Sequence, residues 1–110
     1  MVKKKILINS VMSKFGELLK SKPLVLVDFH ATWCGPCKML SPIIARVAKK
    51  AGDDVRIVKI DVDKNQPLAG TLGVRGVPTI ILYKNGEQVW RQSGVVQERD
   101  LLLLLQQYRD

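Results

Sequence analysis

The chain's two cysteines stand three positions apart in the run Trp33-Cys34-Gly35-Pro36-Cys37-Lys38. Two thiols with two residues between them can close a small disulfide ring or open to a dithiol. The spacing also suits the first turn of a helix, where residues i and i+3 share a face. A helix N-terminus points unpaired N–H groups and a partial positive charge at whatever sits there. A thiolate at that place is stabilised and its pKa falls. The chemistry to expect is thiol–disulfide exchange, with Cys34 as nucleophile and Cys37 within reach to resolve it.

Other uses of the pair fit less well. Zinc takes four ligands, and the chain offers Cys34, Cys37 and its one histidine, His30, with no second CxxC. No metal site is expected. Two cysteines in one CxxC are not a structural disulfide framework either, which fits a reducing compartment.

Elements must hold the pair in place. Leu24-Val25-Leu26-Val27-Asp28-Phe29 is short, β-branched and apolar on both faces, as in a central strand covered on each side. Asp28 interrupts it, and a carboxylate in such a strand is expensive unless it has a partner or a task. A long helix is expected from near Cys34 to about Ala51. Leu40, Ile43, Ile44, Val47 and Ala48 form its apolar face, Pro42 lies inside it, and Gly52 stops it. Upstream, Ile6 to Ile8 reads as a short strand. Val11, Met12, Phe15, Leu18 and Leu19 recur at helical spacing from an N-cap at Ser10, and Pro23 stops that helix.

Downstream, Val55 to Val62 reads as a second buried strand containing Lys59. Pro67 and Gly73 bracket a short helix, and Thr79 to Tyr83 is a strand. Asn85-Gly86 is the strongest short hairpin signal, so Gln88 to Ser93 is an antiparallel edge partner. Leu101, Leu104, Leu105 and Tyr108 share one face of a last helix, with Leu102 or Leu103 left on its flank. The order βαβαβα, a ββ hairpin and a final α predicts a mixed, largely parallel sheet between helical layers, in one domain over 1–110.

Composition narrows the partners. Of the 110 residues, 46% are hydrophobic and no apolar run approaches a membrane span of about 20 residues. The lysine-rich start is followed by too short an apolar stretch for a leader, so none is expected. Eighteen basic against ten acidic residues give a net charge of +8, but no aromatic–basic pattern of nucleic-acid binding accompanies them. The scattered charge reads as a solvated surface, or as steering of acidic protein partners. No G-x-G-x-x-G fingerprint is present, so no nucleotide should bind.

The motif and its companions resemble the thioredoxin family. The matching residues are Val27 to Lys38, Pro42, Lys59-Ile60-Asp61-Val62-Asp63, Val74 to Thr79, Lys84-Asn85-Gly86 and Gly94. The resemblance covers essentially the whole chain. It implies the thioredoxin fold, an α/β domain with a mixed five-stranded sheet (three parallel strands plus an antiparallel hairpin) flanked by four helices. It implies a cytoplasmic, monomeric protein-disulfide reductase with no bound cofactor beyond its redox-active disulfide. Its electrons would come indirectly from NADPH through a flavoprotein thioredoxin reductase, and its partners would be that enzyme and disulfide-containing client proteins.

By the same resemblance, Asp28 assists proton transfer to and from Cys37, with Lys59 as its electrostatic partner. A buried carboxylate raised in pKa suits that task near neutral pH. The plainer alternative is a buried ion pair without a catalytic part. Trp33, Gly35, Pro36, Gly76, Val77, Pro78 and Gly94 would form an apolar docking surface, with Val77-Pro78 as the family's cis-proline and Val77's backbone free to pair with an extended substrate. Gly35-Pro36 resembles the reducing branch of the superfamily. A thiol oxidase or disulfide isomerase, and a non-catalytic interaction module, are the competing readings.

Two positions depart from the family pattern. His30 stands where an aromatic residue, most often Trp, is usual. It either fills a packing slot or tunes Cys34 by its charge. Ser93 replaces the hydrophobic residue common before Gly94 and should make that side of the docking surface more polar.

Overall fold

The computed structural model describes residues 2–109, with side chains from residue 10 onward. Its elements run α1 Val2–Leu19, β1 Leu24–His30, α2 Gly35–Lys50, β2 Val55–Asp61, α3 Gln66–Thr71, β3 Thr79–Lys84, β4 Glu87–Ser93 and α4 Glu98–Tyr108. Among the described residues there is one four-stranded sheet, in the order β2-β1-β3-β4. Four helices flank it, as in the expected fold.

The sheet corrects the expected strand count. Residues 6–8 lie within α1, so there is no strand there and Ser10 is interior to a helix rather than its N-cap. A run of three apolar residues cannot tell strand from helix. The lysines before it are good helix formers, and the first proline does not come until Pro23. Only β1 and β2 pair in parallel; β1–β3 and β3–β4 are antiparallel. The short α3 explains the reversal. Its six residues span about 9 Å at 1.5 Å per residue, less than half the length of a seven-residue strand. The chain therefore stays at the end where β2 finished, and β3 must start from there. That end also holds the C-terminus of β1 and the N-terminus of α2.

Alternation along the strands divides the core. Leu24 and Leu26 of β1 and Ile80 and Leu82 of β3 pack against Leu40, Ile43, Ile44 and Val47 of α2 and Leu101, Leu104 and Leu105 of α4. Val25, Val27, Phe29, Ile81 and Tyr83 pack on the opposite face with Phe15, Leu19 and Leu68 of α1 and α3. The α2 residues recur at the i, i+3, i+4, i+7 spacing of a helix seated on a sheet; Ala48, expected on that face, is exposed. β2 is an edge strand and only half-buried, because β1 alone pairs with it. At the other edge, Asn85 and Gly86 have φ of 51° and 88°. Two positive φ values are what a two-residue type I′ turn requires, and Asn-Gly tolerates them.

Polar ties fasten the helices. Arg46 Nε and Lys50 Nζ of α2 donate to the Glu98 carboxylate of α4 at 2.7 and 2.5 Å. Arg109, just past α4, donates to both Asp54 oxygens and to the Ala51 carbonyl. Its guanidinium holds the Asp54 carboxyl below the ordinary carboxylate range.

Candidate active site

Cys34 is the N-cap of α2, with extended φ −91° and ψ 115°. Pro36 in the first turn has no N–H to be satisfied, and the Cys37 N–H donates to Cys34 Sγ at 3.1 Å. The two cysteines form a disulfide, with Cα atoms 5.3 Å apart. Both side chains are nearly out of water, at 4% and 5% exposure, packed with Ala31, Val62 and Val77.

The loop from α3 to β3 closes over the pair. The Val77-Pro78 bond is cis, and the Val77 carbonyl oxygen lies 3.7 Å from Cys34 Sγ. Pro78 is buried and Val77 half-buried, while Gly76, Gly35 and Pro36 are exposed. Gly94, at φ 95°, donates its N–H to the Pro78 carbonyl at 2.9 Å. Gly94, Pro78, Val77 and the disulfide are thus linked one to the next in space. The Thr79 hydroxyl donates to the Gly76 carbonyl at 2.7 Å, so at 3.1 Å the Ser93 hydroxyl is left to donate to Thr79 Oγ1. The serine's polarity is therefore partly spent on bracing the loop.

Trp33 is 69% exposed, yet its position is set: Nε1 donates to Asp63 Oδ2 at 2.8 Å. Asp63 was not singled out by sequence, since one aspartate among Asp61-Val62-Asp63-Lys64 carries no signal of a partner thirty residues away.

Asp28 lies within β1 and is 0% exposed, and neither carboxylate oxygen has a hydrogen-bond partner. Burial pushes its carboxyl up from the ordinary carboxylate range; the charges of His30 and then Lys59 pull partly back. Lys59 stands opposite Asp28 in the β1–β2 register. Its ammonium, however, donates to Ser41 Oγ of α2 at 2.7 Å. Ser41, four residues after Cys37, is a second neighbour that sequence reading passed over. His30 is half-buried at the end of β1 and borders the same depression as Cys37 and Lys59. Among the described residues no cluster of three or more His, Cys, Asp or Glu could hold a metal ion, and no helix is long and apolar enough to cross a membrane.

The sequence profile of the thioredoxin family matches residues 7–107. The chain belongs to the thioredoxin family. A thioredoxin from Rickettsia typhi is 45% identical over 98 residues, which cover 87% of this chain and 93% of that one. Among solved structures, a mutant thioredoxin from Halobacterium salinarum superposes with a TM-score of 0.81 at 42% identity, covering 89% of this chain and 85% of the other. The oxidised mitochondrial thioredoxin 3 from Saccharomyces cerevisiae does so at 0.78 and 33% identity, covering 87% and 89%. As a thioredoxin, the chain is a protein-disulfide oxidoreductase with Cys34–Cys37 as its redox-active disulfide.

Proposed function

We propose that the chain reduces disulfides of client proteins in two exchange steps with divided roles. In the reduced form, the Cys34 thiolate attacks one sulfur of the client disulfide. A mixed disulfide forms and the client's other sulfur leaves as a thiolate. Cys37 then gives its proton to the Asp28 carboxylate and attacks Cys34 Sγ. The Cys34–Cys37 disulfide forms, and the client's second thiolate leaves. Two electrons pass from the dithiol to the client.

The observation that carries this reading is the capped sulfur. Cys34 Sγ accepts the Cys37 N–H at the helix start, which stabilises a thiolate there and not at Cys37. Cys37 is the harder of the two to ionise, and the buried, unpaired Asp28 on the neighbouring strand suits a proton acceptor. Water in the adjoining depression would connect them. Lys59 steadies the charge on Asp28 from across the sheet.

Trp33, Gly35, Pro36, Gly76, Val77, Pro78 and Gly94 form the docking surface for an extended client segment, whose backbone pairs with Val77. Electrons return from NADPH through thioredoxin reductase, with no cofactor held by this chain. The protein acts as a cytoplasmic monomer with one thioredoxin domain over 1–110, and has no nucleic-acid or membrane partner.

Insulin reduction tests the activity. With dithiothreitol as electron source, the chain should speed precipitation of reduced insulin well above dithiothreitol alone, and Cys34→Ser should remove the acceleration. Precipitation at the rate of dithiothreitol alone would overturn the reductase reading.

A further inference from the structure

Leu24, Leu26, Asp28 and His30 succeed one another on the α2 side of β1. The first two are core. The last two form a polar end beside the first turn of α2, with Lys59 opposite Asp28 and Asp61 opposite His30 in the register of β2. His30 borders a depression of about 240 Å³ with Cys37, Lys38, Ser41 and Lys59.

Most charged groups around this end are engaged or in water. Lys59 Nζ is held by Ser41. Asp61 Oδ1 accepts the backbone N–H groups of Asp63 and Lys64 at 2.9 and 3.3 Å. Lys38 is exposed to solvent, which screens it. These groups keep their charges, but among the described residues Asp28 and the His30 ring lack a hydrogen-bond partner that would hold them. Asp28 is buried without a hydrogen-bond partner. The His30 backbone carbonyl accepts the Val62 N–H at 2.9 Å, while among the described residues its imidazole makes no hydrogen bond or ion pair. Its charge pulls the Asp28 carboxyl down, as that of Lys59 does.

We propose that His30 is a positioning residue for the exchange reaction, acting by its charge on Asp28, so that the proton acceptor of the resolving step responds to pH. The inference rests on Asp28 being that acceptor. Of the two readings from sequence, a packing slot or a charge acting on Cys34, it keeps the charge and moves its target to the carboxylate on its own strand. An imidazolium two residues along the same face favours the charged carboxylate, so Asp28 remains able to accept a proton under more acidic conditions. Histidine ordinarily loses its charge between pH 5 and 8. As it does, the support is withdrawn and Asp28 holds its proton more tightly. The acid limb of the resolving step should lie lower with His30 than with a neutral residue there.

The test compares the unaltered chain with His30→Gln and His30→Lys, each full-length and reduced. Carboxyl ¹³C shifts follow Asp28 through its titration, and insulin reduction is timed at pH 6 and pH 8. In His30→Gln the Asp28 midpoint should rise by about half a unit or more, and the rate at pH 6 relative to pH 8 should fall about threefold. His30→Lys, which restores a positive charge but not the ring, should bring the midpoint back below that of His30→Gln and recover the rate ratio. A packing role predicts no such ordering by charge. Coincident Asp28 midpoints in all three proteins would overturn the proposal, as would a midpoint in His30→Lys at or above that of His30→Gln. The titration needs no client. Ordered midpoints without insulin reduction by the unaltered chain would support the charge coupling and overturn the exchange reading on which its role rests.

Discussion

Asp28 carries a full carboxylate into the interior, at 0% exposure, with no hydrogen bond to either oxygen. Its carboxyl is raised above the ordinary range by burial, against the pull of His30 and Lys59. Between the unfolded and the raised folded value the native protein binds more protons than the unfolded chain, so this group lowers stability as pH rises through that window. Asp28→Asn should accordingly stabilise the fold at pH 8, by about 1–3 kcal/mol for an unsatisfied buried charge. Near pH 4 it should change little. Urea unfolding at the two pH values checks this, and insulin reduction by the same variant should fall about tenfold or more as the proton acceptor is lost. Sequence made Asp28 legible because a carboxylate in an otherwise apolar strand stands out. The destination of Lys59 was not legible. Register does set it opposite Asp28, but a long flexible side chain at an edge strand can reach an acceptor on the neighbouring helix, here Ser41.

At the scale of elements, the site depends on how segments end. α2 begins with a sulfur cap, and the loop after α3 carries Val77-Pro78 to within 3.7 Å of it. That loop is tied from behind. Arg91 of β4 donates to the Leu72 and Gly73 carbonyls at 2.8 and 2.7 Å, covering the C-terminal end of α3. Arg91→Ala should speed amide hydrogen exchange across residues 72–76 while lowering global stability by no more than about 1.5 kcal/mol. Unchanged exchange there would show that the clamp does not steady the loop. The elements with strong local signals, β1, α2 and the Asn85-Gly86 hairpin, were readable in the sequence. The second half of α1 was readable too, from Val11, Met12, Phe15, Leu18 and Leu19, but its first half was not, because Ile6-Leu7-Ile8 is too short to declare its period. Nor was the direction of β3, which follows from the length of α3 against the length of the sheet.

Over the whole molecule, three chain ends converge at one end of the sheet: the exits of β1 and β2 and the start of α2. The short α3 adds the start of β3 to them. The nucleophile, the resolving thiol, the buried carboxylate and the docking loop thus come from segments far apart in sequence, on a frame closed by α2–α4 and Arg109–Asp54 ties. Leu103, 56% exposed on the outer flank of α4, lies outside this arrangement. The family resemblance made the convergence readable before any coordinates, because its matching residues are the ones that meet. What it did not carry is the local wiring through Ser41, Asp63 and Ser93, which depends on contacts that no spacing rule encodes.

The division of labour between the two thiols is the claim on which the rest depends, and trapping tests it most directly. Reduced Cys37→Ser and Cys34→Ser are each mixed with a disulfide-bonded peptide, quenched with acid and weighed by mass spectrometry. Cys37→Ser should accumulate a mixed disulfide through Cys34 that persists because nothing resolves it, and Cys34→Ser should accumulate little. A stable adduct on Cys37 in Cys34→Ser, with none in Cys37→Ser, would contradict the account.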